Sequence, residues 1–121
     1  MYCRLFIGMQ LIFKKAYGFC NPSTLLDDIK RVLTNYGMYI KNIEKSGEQA
    51  WNIAAEKGDV SVLAKLSYTS LPIKEQPAFR SSGLSGYVSI CEVELYSSGD
   101  DGFNEPFRRR FELGLFRAGG V

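Results

Sequence analysis

The sequence predicts an α+β fold in which a mostly antiparallel sheet of five or six strands packs on one amphipathic helix, in the order β-α-β-β-β-β-β. Three observations carry this expectation. The first residues alternate between two faces, one later stretch repeats its apolar residues at helical spacing, and short alternating runs separated by turn residues follow it. With 121 residues, 45% of them hydrophobic and 23% charged, the chain has the size and composition of one domain spanning 1–121.

Residues 2–14 place Cys3, Leu5, Ile7, Met9, Leu11 and Phe13 on one side and Tyr2, Arg4, Phe6, Gly8, Gln10, Ile12 and Lys14 on the other, the period of a strand. Phe6 and Ile12 make the second side partly apolar, which predicts cover on both faces. Asn21 followed by Pro22 reads as an N-cap and first helical residue. Leu25, Leu26, Ile29, Val32, Leu33 and Tyr36 then form one helical stripe, with Asp27, Asp28, Lys30, Arg31 and Asn35 opposite and Gly37 as the stop.

Residues 38–69 fit a three-stranded meander turning at Ser46-Gly47 and Lys57-Gly58. Pairing Lys45 with Glu48 and Glu56 with Asp59 lines up Ile40, Ile53 and Val62, with Trp51 beside Ala64 on the same face. A rival reading makes 47–57 a short helix, from the capping-box spacing of Ser46 and Gln49 and the alanines that follow. Residues 70–86 hold Pro72, Pro77, Gly83 and Gly86 and predict a long irregular segment. The last two strands are expected over 86–96 and 107–117, joined by a hairpin loop over 97–106. The order of one strand, one helix and a run of antiparallel strands resembles cystatin-like folds in architecture, with no sequence motif behind the likeness.

The chain has no histidine, which removes the side chain best suited to proton transfer near neutral pH and the commonest metal ligand. Its net charge of +2, from 15 basic and 13 acidic residues, lacks the one-sided balance of dedicated duplex binders. Cys3, Cys20 and Cys91 are an odd, unclustered set, which predicts free thiols and a cytoplasmic location. No long apolar run or leader-like segment is read, so no membrane contact is expected. No Walker loop, dinucleotide fingerprint or HExxH is present, and neither a cofactor nor a metal is expected.

The densest constellation is Arg108, Arg109 and Arg110 between Phe107 and Phe111, with Phe103 upstream. On an exposed strand this set could neutralise phosphates and stack bases; cross-strand pairing of Arg108 and Arg110 with Glu92 and Glu94 would account for it without a ligand. Asp100, Asp101, Asn104 and Glu105 gather oxygen ligands around Gly99 and Gly102, but not at the spacing of a calcium loop, so a solvated hairpin tip or an acidic prong for a basic partner is expected. Cys20 beside a helix start has the setting of a lowered thiol pKa, yet lacks a histidine as base.

One helix cannot cover both faces of a six-stranded sheet, so the remaining apolar strand surface predicts a second copy or a partner protein. The expected function is therefore a non-enzymatic protein-binding or assembly role, as in inhibitors, immunity proteins or virion assembly factors. The expected contacts are Phe103, Phe107, Arg108, Arg109, Arg110, Asp100 and Asp101, with Phe79 and Arg80 of the 70–86 loop. A nucleic-acid module using the Arg/aromatic strand and a small Cys20-dependent enzyme are the alternatives.

Overall fold

Five strands and two helices alternate along the chain as β1 (Gln10–Gly18), α1 (Pro22–Asn35), β2 (Tyr39–Gly47), β3 (Ala50–Lys57), β4 (Val60–Pro72), β5 (Tyr87–Ser97) and α2 (Asp101–Gly119). The computed structural model describes residues 8–18, 20–72 and 86–119, the last four by backbone alone. The strands form one antiparallel sheet in the order β1-β5-β4-β3-β2. The predicted α+β class holds, with one correction: 107–117 is the body of a second helix, and the sixth strand is not formed.

Helix α1 follows its local signals. Asn21 Oδ1 accepts from the Ser23 and Thr24 amides at 2.9 and 3.4 Å, and Pro22 supplies a first residue that needs no donor. Leu25, Ile29 and Leu33 are buried against the sheet. The helix ends where Gly37 adopts φ +85° and the Met38 amide donates back to the Leu33 carbonyl, a Schellman closure. Lys57 Nζ donates to the freed Tyr36 carbonyl at 3.0 Å. Asp28, expected on the solvent side, is buried and ion-paired with Arg31 one turn on.

Residues 38–69 form the predicted meander, and the rival helix over 47–57 is overturned by β3. Its turns sit slightly later than expected: Gly47 pairs with Ala50 around Glu48-Gln49, and Lys57 with Val60 around Gly58-Asp59, where Gly58 takes φ +59°. The cross-sheet row is therefore Ile43–Ile53–Ala64–Leu95–Phe13, while Ile40 meets Ala55 and Val62. Trp51 lies opposite Leu66 instead of beside Ala64, half-buried under the Lys45 ammonium. Of the irregular segment expected over 70–86, residues 70–72 belong to β4, which runs to Pro72 against β5; residues 73–85, with Phe79 and Arg80, lie outside the described residues, as does the start of the alternating run at 1–7.

In β1 a register shift between Leu11 and Phe13 breaks the predicted alternation. Phe13 turns into the core, while Leu11 is 48% exposed. The other irregular registers, at Ile40/Asn42 and Lys45/Gly47, fall in β2 at the opposite edge. The β3–β4–β5 ladders between them are regular, so the bulges sit where unpaired backbone would otherwise invite a foreign strand.

One face of the sheet carries the core, and both helices cover it. Phe107, Phe111 and Leu115 of α2, at four-residue spacing, are fully buried beside Ile29 and Leu33 of α1. The Phe111 ring stands edge-on to Phe13 at 5.5 Å, and Phe103 and Phe107 pack on Tyr36. Through the register, the row Glu44–Asn52–Lys65–Glu94–Lys14 crosses all five strands on the other face. Lys14 there reaches Glu94 at 3.5 Å and Glu92 at 4.0 Å. The expectation of apolar strand surface too large for one helix is thus met by a second helix from the same chain.

Cys20 and Cys91 are joined in a disulfide that closes a separation of 71 residues and ties the entrance of α1 to the middle of β5. This corrects the expectation of free thiols at these two positions. Both sulfurs lie in the core, and no spacing in the sequence signals the pairing, which depends on β1 lying beside β5 with Tyr17 opposite Cys91.

Candidate functional site

Helix α2 begins with a closed set of local bonds. The Phe103 amide donates to Asp100 Oδ1 at 3.0 Å, and the Asn104 amide to the Asp100 carbonyl at 2.8 Å. Buried Ser97 donates its hydroxyl to Asn104 Oδ1 at 2.7 Å, and Asn104 Nδ2 donates to the Gly99 carbonyl. Asp100 is thus an N-cap and Asp101 the first-turn acid that suits the helix dipole, which corrects the reading of 97–106 as a hairpin tip. Among the described residues no three His, Cys, Asp or Glu side chains gather to hold a metal ion.

Helical geometry disperses the predicted constellation. Phe107 is fully buried, and Phe103 is half-buried on Tyr36 and Phe107, so neither offers a stacking surface. Arg108 turns toward β1 and pairs with Glu105 at 3.8 Å and Glu112 at 3.6 Å, not with Glu92 or Glu94. It lines a groove with Gln10, Leu11, Asp101 and Glu105, whose charges answer one another. Arg109 points to solvent. Arg110 lies on the opposite flank, toward α1.

That flank holds a groove of about 440 Å³ between the two helices, lined by Arg31, Val32, Asn35 and Tyr36 of α1 and by Arg110, Leu113 and Gly114 of α2. Gly114 sets its depth. A Cβ there would stand 2.1 Å from Val32 Cγ2, so glycine lets the helices approach closely. Val32 and Tyr36 supply the apolar floor, and Leu113, 66% exposed, stands on the rim. Arg31 is fixed by buried Asp28. Arg110, like Arg109, has no ion-pair partner among the described residues, and no carboxylate lines the groove.

The residues missed by strand reasoning are Arg31, Tyr36, Leu113 and Gly114 as neighbours of Arg110. The signal that finds them is Phe103, Phe107, Phe111 and Leu115 at four-residue spacing, which makes 101–119 a helix and throws Arg110 and Leu113 to one side.

Two further sites have a physical reading without a ligand. Tyr17 is 5% exposed, and its hydroxyl has no hydrogen-bond partner among the described residues. Burial, with the nearby Glu112 carboxylate second, pushes its pKa up to about 12. Tyr96 donates to Glu94 at 3.0 Å, and desolvation followed by that bond and charge raises its pKa. Cys20, bonded to Cys91, has no free thiol to act as a nucleophile.

Among the described residues no helix is long and apolar enough to cross a membrane. No family model matches the chain, and no curated protein matches it in sequence.

Proposed function

We propose that this chain is a non-enzymatic protein-binding protein that acts in a hetero-complex through the α1–α2 groove. One observation carries the reading: an apolar cleft rimmed by exposed Leu113 and by Arg110, which nothing described in the chain neutralises. The other large exposed apolar side chains, Leu11, Tyr39, Ile43 and Tyr87, lie on strands, and scattered singles of this kind are ordinary on a protein surface. A two-fold contact through this groove would bring two copies of Arg110, each without an ion-pair partner among the described residues, into one interface, which disfavours the homo-oligomer expected from the strand surface and favours a different partner.

The disulfide bears on compartment. A cytoplasmic chain would hold Cys20 and Cys91 as thiols, whereas their bond supports folding in an oxidising environment. Mass spectrometry after alkylation, with and without prior reduction, distinguishes the two.

Photo-cross-linking tests the binding reading. A photoreactive residue in place of Leu113, in the cells that make the protein, should give a discrete heavier adduct that the same residue at Ser67, on the charged sheet face, does not give. Adducts from position 67 alone, or from neither, contradict it.

A further inference from the structure

The geometry points to an acidic amphipathic helix of another protein as the occupant of the α1–α2 groove, its apolar residues on Val32, Tyr36 and Leu113 and its carboxylates on Arg31 and Arg110. This rests on the groove being the binding surface and goes further by naming the chemistry of what enters it.

Charge complementarity selects the acid. The two guanidiniums come from opposite walls, Arg31 from α1 and Arg110 from α2, and the lining holds no carboxylate of its own. They are not equivalent: Arg31 is already engaged by buried Asp28 and held in place, whereas Arg110 has no ion-pair partner among the described residues. A carboxylate arriving at the rim therefore meets one pre-positioned cation and one that can close on it. Basic segments are repelled by Arg110, whose charge no described carboxylate offsets, which gives discrimination as well as affinity.

The apolar floor selects against a bare polyanion. Single-stranded nucleic acids bind through basic side chains and exposed stacking surfaces, but here Phe107 and Phe111 of α2 are buried and the rim residue beside Arg110 is an aliphatic leucine. A segment with leucine- or phenylalanine-sized anchors satisfies that rim. Shape selects a helix. The groove runs between two helices brought close at Gly114 against Val32, and a third helix laid along it would bury anchors at i, i+3/i+4 and i+7.

The test uses the whole, oxidised protein as bait for a phage-displayed library of random 16-residue peptides. Enriched peptides should carry Asp or Glu together with Leu or Phe at three-to-four spacing and gain helical circular dichroism on binding. They should lose about tenfold or more in affinity for Arg110→Glu and for Leu113→Asp. Both positions are exposed, and matched melting curves would show that the variants fold. Enrichment of peptides without acidic bias, of proline-rich extended peptides, of peptides that bind both variants as well as the parent, or of none, would overturn the inference. So would displacement of the enriched peptide by a single-stranded 20-mer oligonucleotide that binds the Leu113→Asp variant undiminished, the sign of a nucleic-acid surface. If non-acidic peptides are lost on Leu113→Asp, the groove is still the binding surface and only the acidic partner falls; if cross-linking from position 113 also fails, both fall.

Discussion

The two helices lie side by side on the same sheet face, yet they spend their polar residues differently. On α1 the charges are settled within the helix, Lys30 on Asp27 and Arg31 on Asp28. On α2 only the flank toward β1 is settled: Arg108 answers Glu105 and Glu112, and Lys15 of β1 reaches Glu112 at 3.7 Å. The flank toward α1 keeps Arg110 unanswered and Leu113 exposed. A helix can thus serve the fold with one stripe and remain available for contact with another.

The sharpest way to break this comparison is to empty the buried stripe of α2. Phe111→Ala should cost about 3–5 kcal/mol, because a fully buried ring leaves a cavity against Phe13 and Phe107. Urea unfolding of the oxidised protein measures it. A loss below about 1 kcal/mol would mean that α2 is peripheral to the fold.

The α1 side has its own fastening. Replacing Cys20 and Cys91 together by serine should cost about 2–4 kcal/mol, since the bond closes a long loop in the unfolded chain. The drop in urea midpoint should match that produced by reducing the parent.

Tyr17 sharpens the comparison from the sheet. Its folded pKa of about 12 exceeds the ordinary value of 10.0, so between those pH values the unfolded chain releases a proton that the folded chain keeps. Stability contributed by the neutral hydroxyl is therefore complete below pH 10 and falls as pH rises to 12, by about 2–3 kcal/mol. Tyr17→Phe should remove that loss from the pH profile. At neutral pH it should change stability by less than about 1 kcal/mol, because the deleted hydroxyl has no hydrogen-bond partner among the described residues.

Gly114 tests how closely the helices meet. Gly114→Ala should cost about 1–3 kcal/mol by pushing Val32 aside. Adding Val32→Ala should recover part of that cost, so the double-mutant cycle should show favourable coupling.

The legible parts of the fold were those with local chemistry. Asn21-Pro22, the α1 stripe and Gly37 fixed one helix, and the glycine-bearing turns located the meander to within a residue or two. Helix α2 escaped because Phe107, Arg109, Phe111, Leu113 and Leu115 satisfy a period of two, while Phe107, Phe111 and Leu115 equally satisfy a period of four. The arginine at 109 breaks that tie, since an unpaired guanidinium has no place in a buried strand face, and Phe103 extends the helical series. Gly99, Gly102 and Pro106 suggested a loop, whereas Gly99 and Asp100 belong to a cap and exposed Pro106 lies inside the helix, beyond its first turn. The bulge that turned Leu11 outward and the pairing of Cys20 with Cys91 are tertiary facts with no local signal. Of the described residues of the predicted site, Arg110 alone enters the groove; its neighbours across the groove come from α1, which no strand-based reading could bring to it.

Helix α2 carries one buried stripe, Phe107, Phe111 and Leu115, and one exposed flank at Leu113. The most direct check is the urea midpoint of Leu113→Asp. Because Leu113 is 66% exposed, the fold should tolerate an aspartate there within about 0.5 kcal/mol. A loss of about 2 kcal/mol or more would place Leu113 in the core and contradict an open groove between the helices.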